Sequence, residues 1–377
     1  MTAQQISGSK RKHLNKFKDK NLFRIDLRHI LKKIDCFEFS LELTELAELI
    51  LDLIFKKIIT GLAVEKNEND IPDWCVFGLG KLGGKELGYA SDIELMFIYD
   101  EVSDSNNGNN TAESQFFFES VMQTFLKMIK AKREGIFEVD LNLRPYGQKG
   151  RLSVSFNSFK EYFSSSGHAK LFERQALTKM RLITGSSNSP TLSDKIFEVR
   201  DNFVYKNNLN SLDELYSVRK MQIENYVKDS KLFNIKYSSG GLVEIEYIAQ
   251  ILSIIHGENL PNLRSYSTVQ IMNALKDYSI IDDKTFDILY CAFLYYLNFI
   301  NILRMVKGNS KDLTVDRENP VDINYLIKRA KFIGLITKES EEELFSLLHY
   351  YRERVNNIFI NLEIAAGEDK VINSGLE

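Results

Sequence analysis

Proline is scarce in this 377-residue sequence, five residues in all, so few breakers interrupt its Leu-, Ile-, Lys- and Glu-rich stretches and helix is the dominant expectation. Cysteine is scarcer still. The three present, Cys36, Cys75 and Cys291, are widely spaced and set in apolar surroundings. That excludes a disulfide framework and zinc-ligand spacing, and it fits a reducing compartment, the cytosol. Excess charge of either sign is lacking: a net charge of -3 supplies no basic field for nucleic acid. An unbroken apolar run of membrane length is also lacking. Residues 286–303 come nearest, but Asp287, Asn298 and Asn301 interrupt them and Arg304 ends them, so a buried bundle helix is the expectation and a membrane span is not. The first twenty residues carry six Lys/Arg against one acid and run on into an amphipathic pattern, which reads as the solvated start of a helical region and not as a transit peptide. No internal repeat or long low-complexity tract is present.

What remains is the composition of an ordinary globular protein, 44% apolar and 27% charged, long enough for two or three domains. Residues 21–63 repeat apolar positions at helical spacing, with Leu43, Leu46, Ala47, Ile50, Leu53, Ile54 and Ile58 as the stripe and Ser40 or Thr44 as the candidate cap. A polar surface turn is expected over 66–72. Trp74–Phe77 and Ile93–Tyr99 then read as strands, separated by a glycine-rich loop, and a polar loop follows over 101–111. Gln115–Lys132 reads as a helix, Ile136–Leu143 as a third strand, and Phe156–Phe163 and Leu171–Leu182 as further helices. From about residue 195 the pattern is helical throughout, with segments expected over 211–229, 243–256, 267–276, 283–305, 321–334 and 338–364 and a frayed tail from Gly367. The fold class expected is α+β: a small mixed sheet with flanking helices, then an all-α bundle. The boundaries fall at 1–63 for an N-terminal helical segment, 64–194 for the mixed domain and 195–377 for the bundle.

The glycine loop, Gly78-Leu79-Gly80-Lys81-Leu82-Gly83, matches the dinucleotide fingerprint letter for letter. Only Gly84 to Ser91 separate Gly83 from Asp92 at the next strand, too few for a crossover of about a dozen residues. A Walker loop fails as well, since Leu79 stands six residues before Lys85 and Glu86 follows it. A kinase loop lacks its valine and the strand lysine. The remaining pattern is Gly83-Gly84, then Asp92-Ile93-Glu94. Asp92 and Glu94, two apart on a strand, share a face. Paired carboxylates are costly without a cation, and hard oxygen ligands suit Mg²⁺ held together with substrate phosphates. Asp140, on the strand pattern Val139-Asp140-Leu141, supplies a third acid, and three carboxylates on neighbouring strands suit two metal ions roughly 4 Å apart and displacement at phosphorus. Taken singly, a Gly-Gly is a turn and an Asp-x-Glu a solvated strand end; their order on these elements favours chemistry.

The stretch GLGKLGGKELGYASDIELMFIYD closely resembles the nucleotidyltransferase core of the glutamine synthetase adenylyltransferase and adenylyl-removing family, within the DNA polymerase β superfamily. The similarity continues in VDLNLRPYG (139–147), in FERQALTKMRLITG (172–185) with its Glu-x-x-Ala-x-x-Lys/Arg-x-Arg pattern, in NIKYSSGGLVEIEYIAQ (234–250), and in NLFRIDLRHIL (21–31). The resemblance implies a nucleotidyltransferase core that moves AMP from ATP to a tyrosine of glutamine synthetase, or removes it by phosphorolysis, with Mg²⁺ and with a PII-type signal protein as a possible regulator. Asp92, Glu94 and Asp140 are then the metal-binding carboxylates, with Asp140 the candidate acceptor or orienter of the tyrosine proton, and Gly83 and Gly84 lie on the nucleotide phosphates. Lys81, Lys85, Arg144 and Arg181 are candidates for triphosphate charge, and Ser91, next to Asp92, joins the nucleotide-binding set. A solvated surface cation is the competing reading for each of the four basic residues. Lys236, Glu244 and Glu246 match family positions in the bundle, with domain packing as the competing role. The sequence departs from the family pattern in Glu94 for the commoner Asp, in Leu171-Phe172 where a Trp is usual, in Asn234 and Glu244 where Asp is common, and in carrying one core instead of two. An inactive nucleotide-binding regulator, or one half of a split enzyme, is therefore the alternative.

Overall fold

A computed structural model of the chain describes residues 8–63, 71–101, 109–129, 137–206, 213–227, 229, 232–308 and 312–367. Most of the expected turn over 66–72 and of the loop over 101–111, the end of the helix expected to Lys132, Ile136, and the tail beyond Gly367 lie outside the described residues. The chain divides into two compact units: Met1–Leu87 with Ser91–Lys206, and Asn207–Glu377 with Gly88–Ala90.

The first unit opens with two helices, α1 (Gly8–Ile30) and α2 (Cys36–Leu62), where the periodicity over 21–63 suggested one stripe. The break is local chemistry. Lys32 takes a left-handed φ of 57°, and Asp35 caps α2. Its Oδ1 accepts the N–H groups of Phe37 and Glu38, each at 2.8 Å, while Glu38 returns a carboxylate to the Asp35 N–H at 2.9 Å, a capping box. Ser40 and Thr44 are not caps: both are buried, with hydroxyls donating back to the carbonyls of Cys36 and Ser40. Of the apolar stripe on α2, Leu53 turns to solvent and the rest is buried.

Then come β1 (Trp74–Gly78), a single helical turn α3 (Gly80–Gly83), β2 (Ile93–Tyr99), α4 (Asn109–Met128), β3 (Val139–Asp140), β4 (Ser153–Ser155), α5 (Phe156–Tyr162), α6 (Leu171–Thr178), β5 (Arg181–Gly185) and α7 (Ser189–Tyr205). The sheet is mixed, in the order β3-β2-β1-β5 with β4 also on β2. β1 runs antiparallel to β2 and β5, and β2 runs parallel to β3 and β4. Two expectations need correction. The helix expected over 171–182 ends at Thr178, because Arg181 and Leu182 pair with Gly78 and Phe77 of β1. The third strand shrinks to two residues, since Asp140 turns the chain by accepting the Asn142 N–H and Pro145 follows.

β1 is buried along its whole length, as a central strand covered on both faces should be. On one side Phe55 of α2 stacks on Phe125 of α4 with ring centroids 4.3 Å apart, beneath Trp74 and Phe97. On the other, Phe197 of α7 meets Phe77 edge to face. The Cys75 thiol in this core is pushed up to about 12 by burial and by Asp73 and Asp100, so it is chemically silent.

The second unit holds α8 (Asp213–Tyr226), β6 (Phe233–Asn234), α9 (Leu242–His256), α10 (Thr268–Asp277), α11 (Asp283–Lys307), β7 (Thr314–Val315), α12 (Pro320–Ile333) and α13 (Glu341–Gly367). The six expected helices are there, and a two-stranded antiparallel ribbon, β6 with β7, joins them. Among the described residues α11 is the one helix long and apolar enough to cross a membrane, and 67% of its apolar window is buried inside the protein. Asp282 caps it by accepting the Thr285 N–H at 2.8 Å.

Candidate active site

Strand register sets two of the three acids side by side, and the third precedes one of the strands. β2 begins at Ile93, so Asp92 stands just before the strand and Glu94 is its second residue. β3 lies alongside with Ile93 opposite Val139 and Glu94 opposite Asp140, placing Glu94 and Asp140 on strands about 4.8 Å apart. Asp92 is exposed; Glu94 and Asp140 are half-buried. Their carboxylates are nevertheless turned to backbone donors. Glu94 Oε2 accepts the Lys81 N–H at 3.2 Å, and Asp140 Oδ1 accepts the Asn142 N–H at 2.6 Å. Among the described residues no three His, Cys, Asp or Glu side chains converge as a metal-binding group. The backbone thus brings the acids together while the side chains are not drawn in around a common point. As a donor set, three carboxylates at the edge of one sheet fit a hard cation such as Mg²⁺.

The glycine turn sits against Glu94. The N–H of Gly83 is bonded to the Leu79 carbonyl at 2.8 Å and that of Gly84 to the Gly80 carbonyl at 3.0 Å. These two amides therefore close the turn. What the glycines contribute is lack of bulk. A Cβ on Gly83 would stand 1.8 Å from the Lys179 carbonyl oxygen, and one on Gly80, whose φ is +48°, would stand 1.4 Å from Glu94 Oε2. The amides of Gly80 and Lys81 head the turn, where no residue within it can accept them. Lys81 and Lys85 are half-buried on the turn, Lys85 with a left-handed φ of 58°, and Ser91 is half-buried next to Asp92.

Two of the expected triphosphate cations hold backbone. Arg144 is buried, its Nε on the Arg151 carbonyl (2.9 Å), Nη1 on Leu141 (2.5 Å) and Nη2 on Gly150 (3.0 Å). Burial lowers its pKa, against the opposing pull of Glu119 and Asp140. It ties together the loop after Asp140. Arg181 places Nε on the Gly83 carbonyl and Nη2 on the Leu82 carbonyl, both at 2.9 Å, with Nη2 also 2.6 Å from Glu48 of α2. Near them, Lys179 and Glu86 form a buried ion pair of 2.6 Å. Glu173 accepts the Tyr162 hydroxyl at 2.9 Å, and burial together with this carboxylate pushes that phenol up to about 12.

Sequence reasoning assigned no part to Glu48, Glu86 or Lys179. Lys179 belongs to the quoted Glu-x-x-Ala-x-x-Lys/Arg-x-Arg string and Glu86 to the segment between the glycines and Asp92, so both carried a signal. Glu48 carried none: it reads as one more polar residue on an amphipathic helix.

In the second unit, Glu244 is buried, with Oε1 3.1 Å from Arg219 Nη2 and Oε2 accepting the Gly240 N–H at 2.7 Å. Burial raises its pKa, opposed by Arg219 and the Gly240 amide. Arg219 also donates to the carbonyls of Tyr237 and Ser238, so the pair fixes the turn that leads into α9. Asn234 Oδ1 accepts the N–H groups of Lys236 and Tyr237. The Lys236 ammonium lies 4.8 Å over the Tyr237 ring; burial works against its charge, but Tyr237 and Glu246 outweigh burial and hold its pKa above the ordinary value. Glu246 is half-buried.

Residues 2–195 match the family model for glutamate-ammonia ligase adenylyltransferase, and residues 218–362 match that for GlnD PII-uridylyltransferase. A protein of Mannheimia haemolytica named bifunctional glutamine synthetase adenylyltransferase/adenylyl-removing enzyme is 26% identical over 366 residues, 92% of this chain and 38% of that protein. Proteins of the same name from Shewanella oneidensis (30% identical over 304 residues, 78% of this chain and 31% of that protein) and Pasteurella multocida (31% over 309 residues, 78% and 30%) are similar as well. The chain spans about a third of the length of these relatives. The first match takes in more than half of the 377 residues, including the glycine turn, all three carboxylates and the β5 pattern, and on that ground the chain belongs to the glutamate-ammonia ligase adenylyltransferase family.

Proposed function

We propose that the chain is a Mg²⁺-dependent adenylyltransferase that moves AMP from ATP to a tyrosine hydroxyl of glutamine synthetase, or catalyses removal of that AMP by phosphorolysis, and so regulates nitrogen assimilation in the cytosol. The observation that carries the reading is the register setting Glu94 opposite Asp140, with Asp92 at the entry to the same strand as Glu94, in a chain of this family. The tyrosine oxygen forms a bond to the α-phosphorus as the bond to the β-phosphate oxygen breaks, releasing pyrophosphate; in removal, a phosphate oxygen displaces the tyrosine and ADP leaves.

Asp92, Glu94 and Asp140 would hold Mg²⁺, which when bound neutralises charge on the reacting phosphates. A tyrosine of ordinary pKa near 10 is a weak nucleophile at neutral pH, so it needs a group to take or orient its proton, and Asp140 is the residue for that role. Lys81, Lys85 and Ser91 flank the turn and are the residues for the triphosphate; Arg144 and Arg181 act instead through the backbone they hold. A PII-type signal protein is the candidate regulator, supported by the match of residues 218–362. The second reading, a nucleotide-binding regulator without catalysis, is motivated by Glu94 standing where the family more often has Asp.

The deciding experiment incubates the protein with labelled ATP, Mg²⁺ and glutamine synthetase, and separately with adenylylated glutamine synthetase and phosphate, each with and without a PII-type protein. Label transfer or release that disappears in Asp92→Asn supports the transferase. Nucleotide binding with no transfer in either direction supports the regulator.

A further inference from the structure

The geometry points to Glu48 and Arg181 as positioning residues for the Glu94 carboxylate, acting through the glycine turn that lies between them. The inference rests on the reading of Glu94 as a metal-binding acid and assigns Arg181 a role other than contact with phosphate.

The turn cannot set itself. A helix of four residues makes too few internal bonds to stand alone, and its last carbonyls have no partner within it. Arg181 supplies partners for two of them, the carbonyls of Leu82 and Gly83, from two nitrogens of one planar group. A guanidinium fixes both directions at once, which the single point charge of a lysine does not. Arg181 is itself fixed twice. Its backbone pairs with Gly78, the last residue of the strand that feeds the turn, and its Nη2 is 2.6 Å from Glu48, with side chains 12% and 27% exposed. The turn is also pressed from behind. The Lys179 carbonyl occupies the space where Gly83 would carry a Cβ, and the Lys179 ammonium holds Glu86 just past the turn.

At the other end of the same turn the Lys81 N–H meets Glu94 Oε2, and the missing Cβ of Gly80 leaves the room the carboxylate fills. A continuous run of contacts therefore links α2 to the acid: Glu48, Arg181, the carbonyls of Leu82 and Gly83, the turn, the Lys81 amide, Glu94. Freeing the carbonyl end lets the turn shift, and the Glu94 carboxylate shifts with its amide partner relative to Asp140. The consequence should appear in metal use before it appears in nucleotide affinity.

The test compares Arg181→Lys, Arg181→Ala and Glu48→Gln with the wild type in the full chain. Three quantities are read: hydrogen exchange of the turn amides at Gly83, Gly84 and Glu86 beside those of β1 and β2; the Mg²⁺ dependence and kcat of AMP transfer; and the KM for ATP. Both Arg181 variants should speed exchange in the turn on the order of tenfold, the loss of a charge-assisted hydrogen bond, with the strands unchanged. They should raise the Mg²⁺ needed for half-maximal rate and lower kcat, with KM for ATP little altered, and Glu48→Gln should do the same more weakly. Failure of Arg181→Lys to rescue separates the fork from its charge. A rise in KM for ATP with turn exchange and Mg²⁺ dependence unchanged overturns the inference in favour of phosphate contact. Exchange rising equally throughout the sheet overturns it in favour of general support of the fold. If the wild type transfers no AMP in either direction, it is the proposed function that fails, and the exchange pattern still decides whether Arg181 holds the turn.

Discussion

Glu94 and Asp140 face each other across two parallel strands, one residue of β2 against one of β3. Each carboxylate accepts a backbone amide, Glu94 that of Lys81 and Asp140 that of Asn142, and acids on neighbouring strands are donors suited to a hard cation.

Removing any one acid should therefore cost catalysis without costing the fold. Asp92→Asn, Glu94→Gln and Asp140→Asn should each lower AMP transfer by on the order of a hundredfold or more, since exposed and half-buried acids contribute little to packing. Chelation of Mg²⁺ should abolish the reaction in the wild type. Steady-state rates, with circular dichroism as the control on folding, check both. Wild-type rates in Asp92→Asn would remove this acid from the metal site.

Gly83→Ala should destabilise the first unit by about 2–3 kcal/mol, because the new Cβ meets a backbone carbonyl that cannot swing away. Urea unfolding measures it. A cost below about 0.5 kcal/mol would mean that the Lys179 carbonyl yields.

Breaking the buried Lys179–Glu86 pair from one side should be worse than removing it whole. Lys179→Met takes away the ammonium that Glu86 meets at 2.6 Å, at a cost of about 3–5 kcal/mol, whereas adding Glu86→Leu should recover much of that loss. A double-mutant cycle in urea gives the coupling; simple additivity of the two changes would count against it.

Asp52 should set part of the acid limb of stability. It accepts hydrogen bonds from Lys56 and from Thr184 on β5; burial raises its pKa, but these partners outweigh burial and hold it below the ordinary 3.8. A depressed folded pKa contributes stability that is present above 3.8 and lost as pH falls through the folded value. Asp52→Asn should therefore lower stability at neutral pH and leave it little changed in strong acid, as urea midpoints across that range will test.

Local structure was legible in the sequence wherever it is local in cause. Ile93–Tyr99 reads as a strand from its own residues and is one, with the residue after Asp92 as its start. The bundle helices follow their apolar periodicity to within a few residues. The helix break before α2 was missed because Asp35 caps it from a segment with no apolar repeat, while Ser40 and Thr44 look like caps and are buried in the helix body. β5 was missed because Arg-Leu-Ile-Thr carries on an apolar helical pattern, and only pairing with β1 makes it a strand. The two-residue ribbon strands are too short for any period to reveal.

The sequence by itself determined β1, β2 and the bundle helices, the glycines, and the two-residue spacing of Asp92 and Glu94, since each depends on neighbours a few residues apart. The tertiary structure decided which acid lies beside Glu94 and what holds the turn. Arg181 reaches the Gly83 carbonyl across 98 residues of chain, and Glu48 reaches Arg181 from a helix in which it looks like any other polar position. Such contacts depend on how sheet and helices pack, so no local pattern reveals that Arg181 lies on the backbone of the turn.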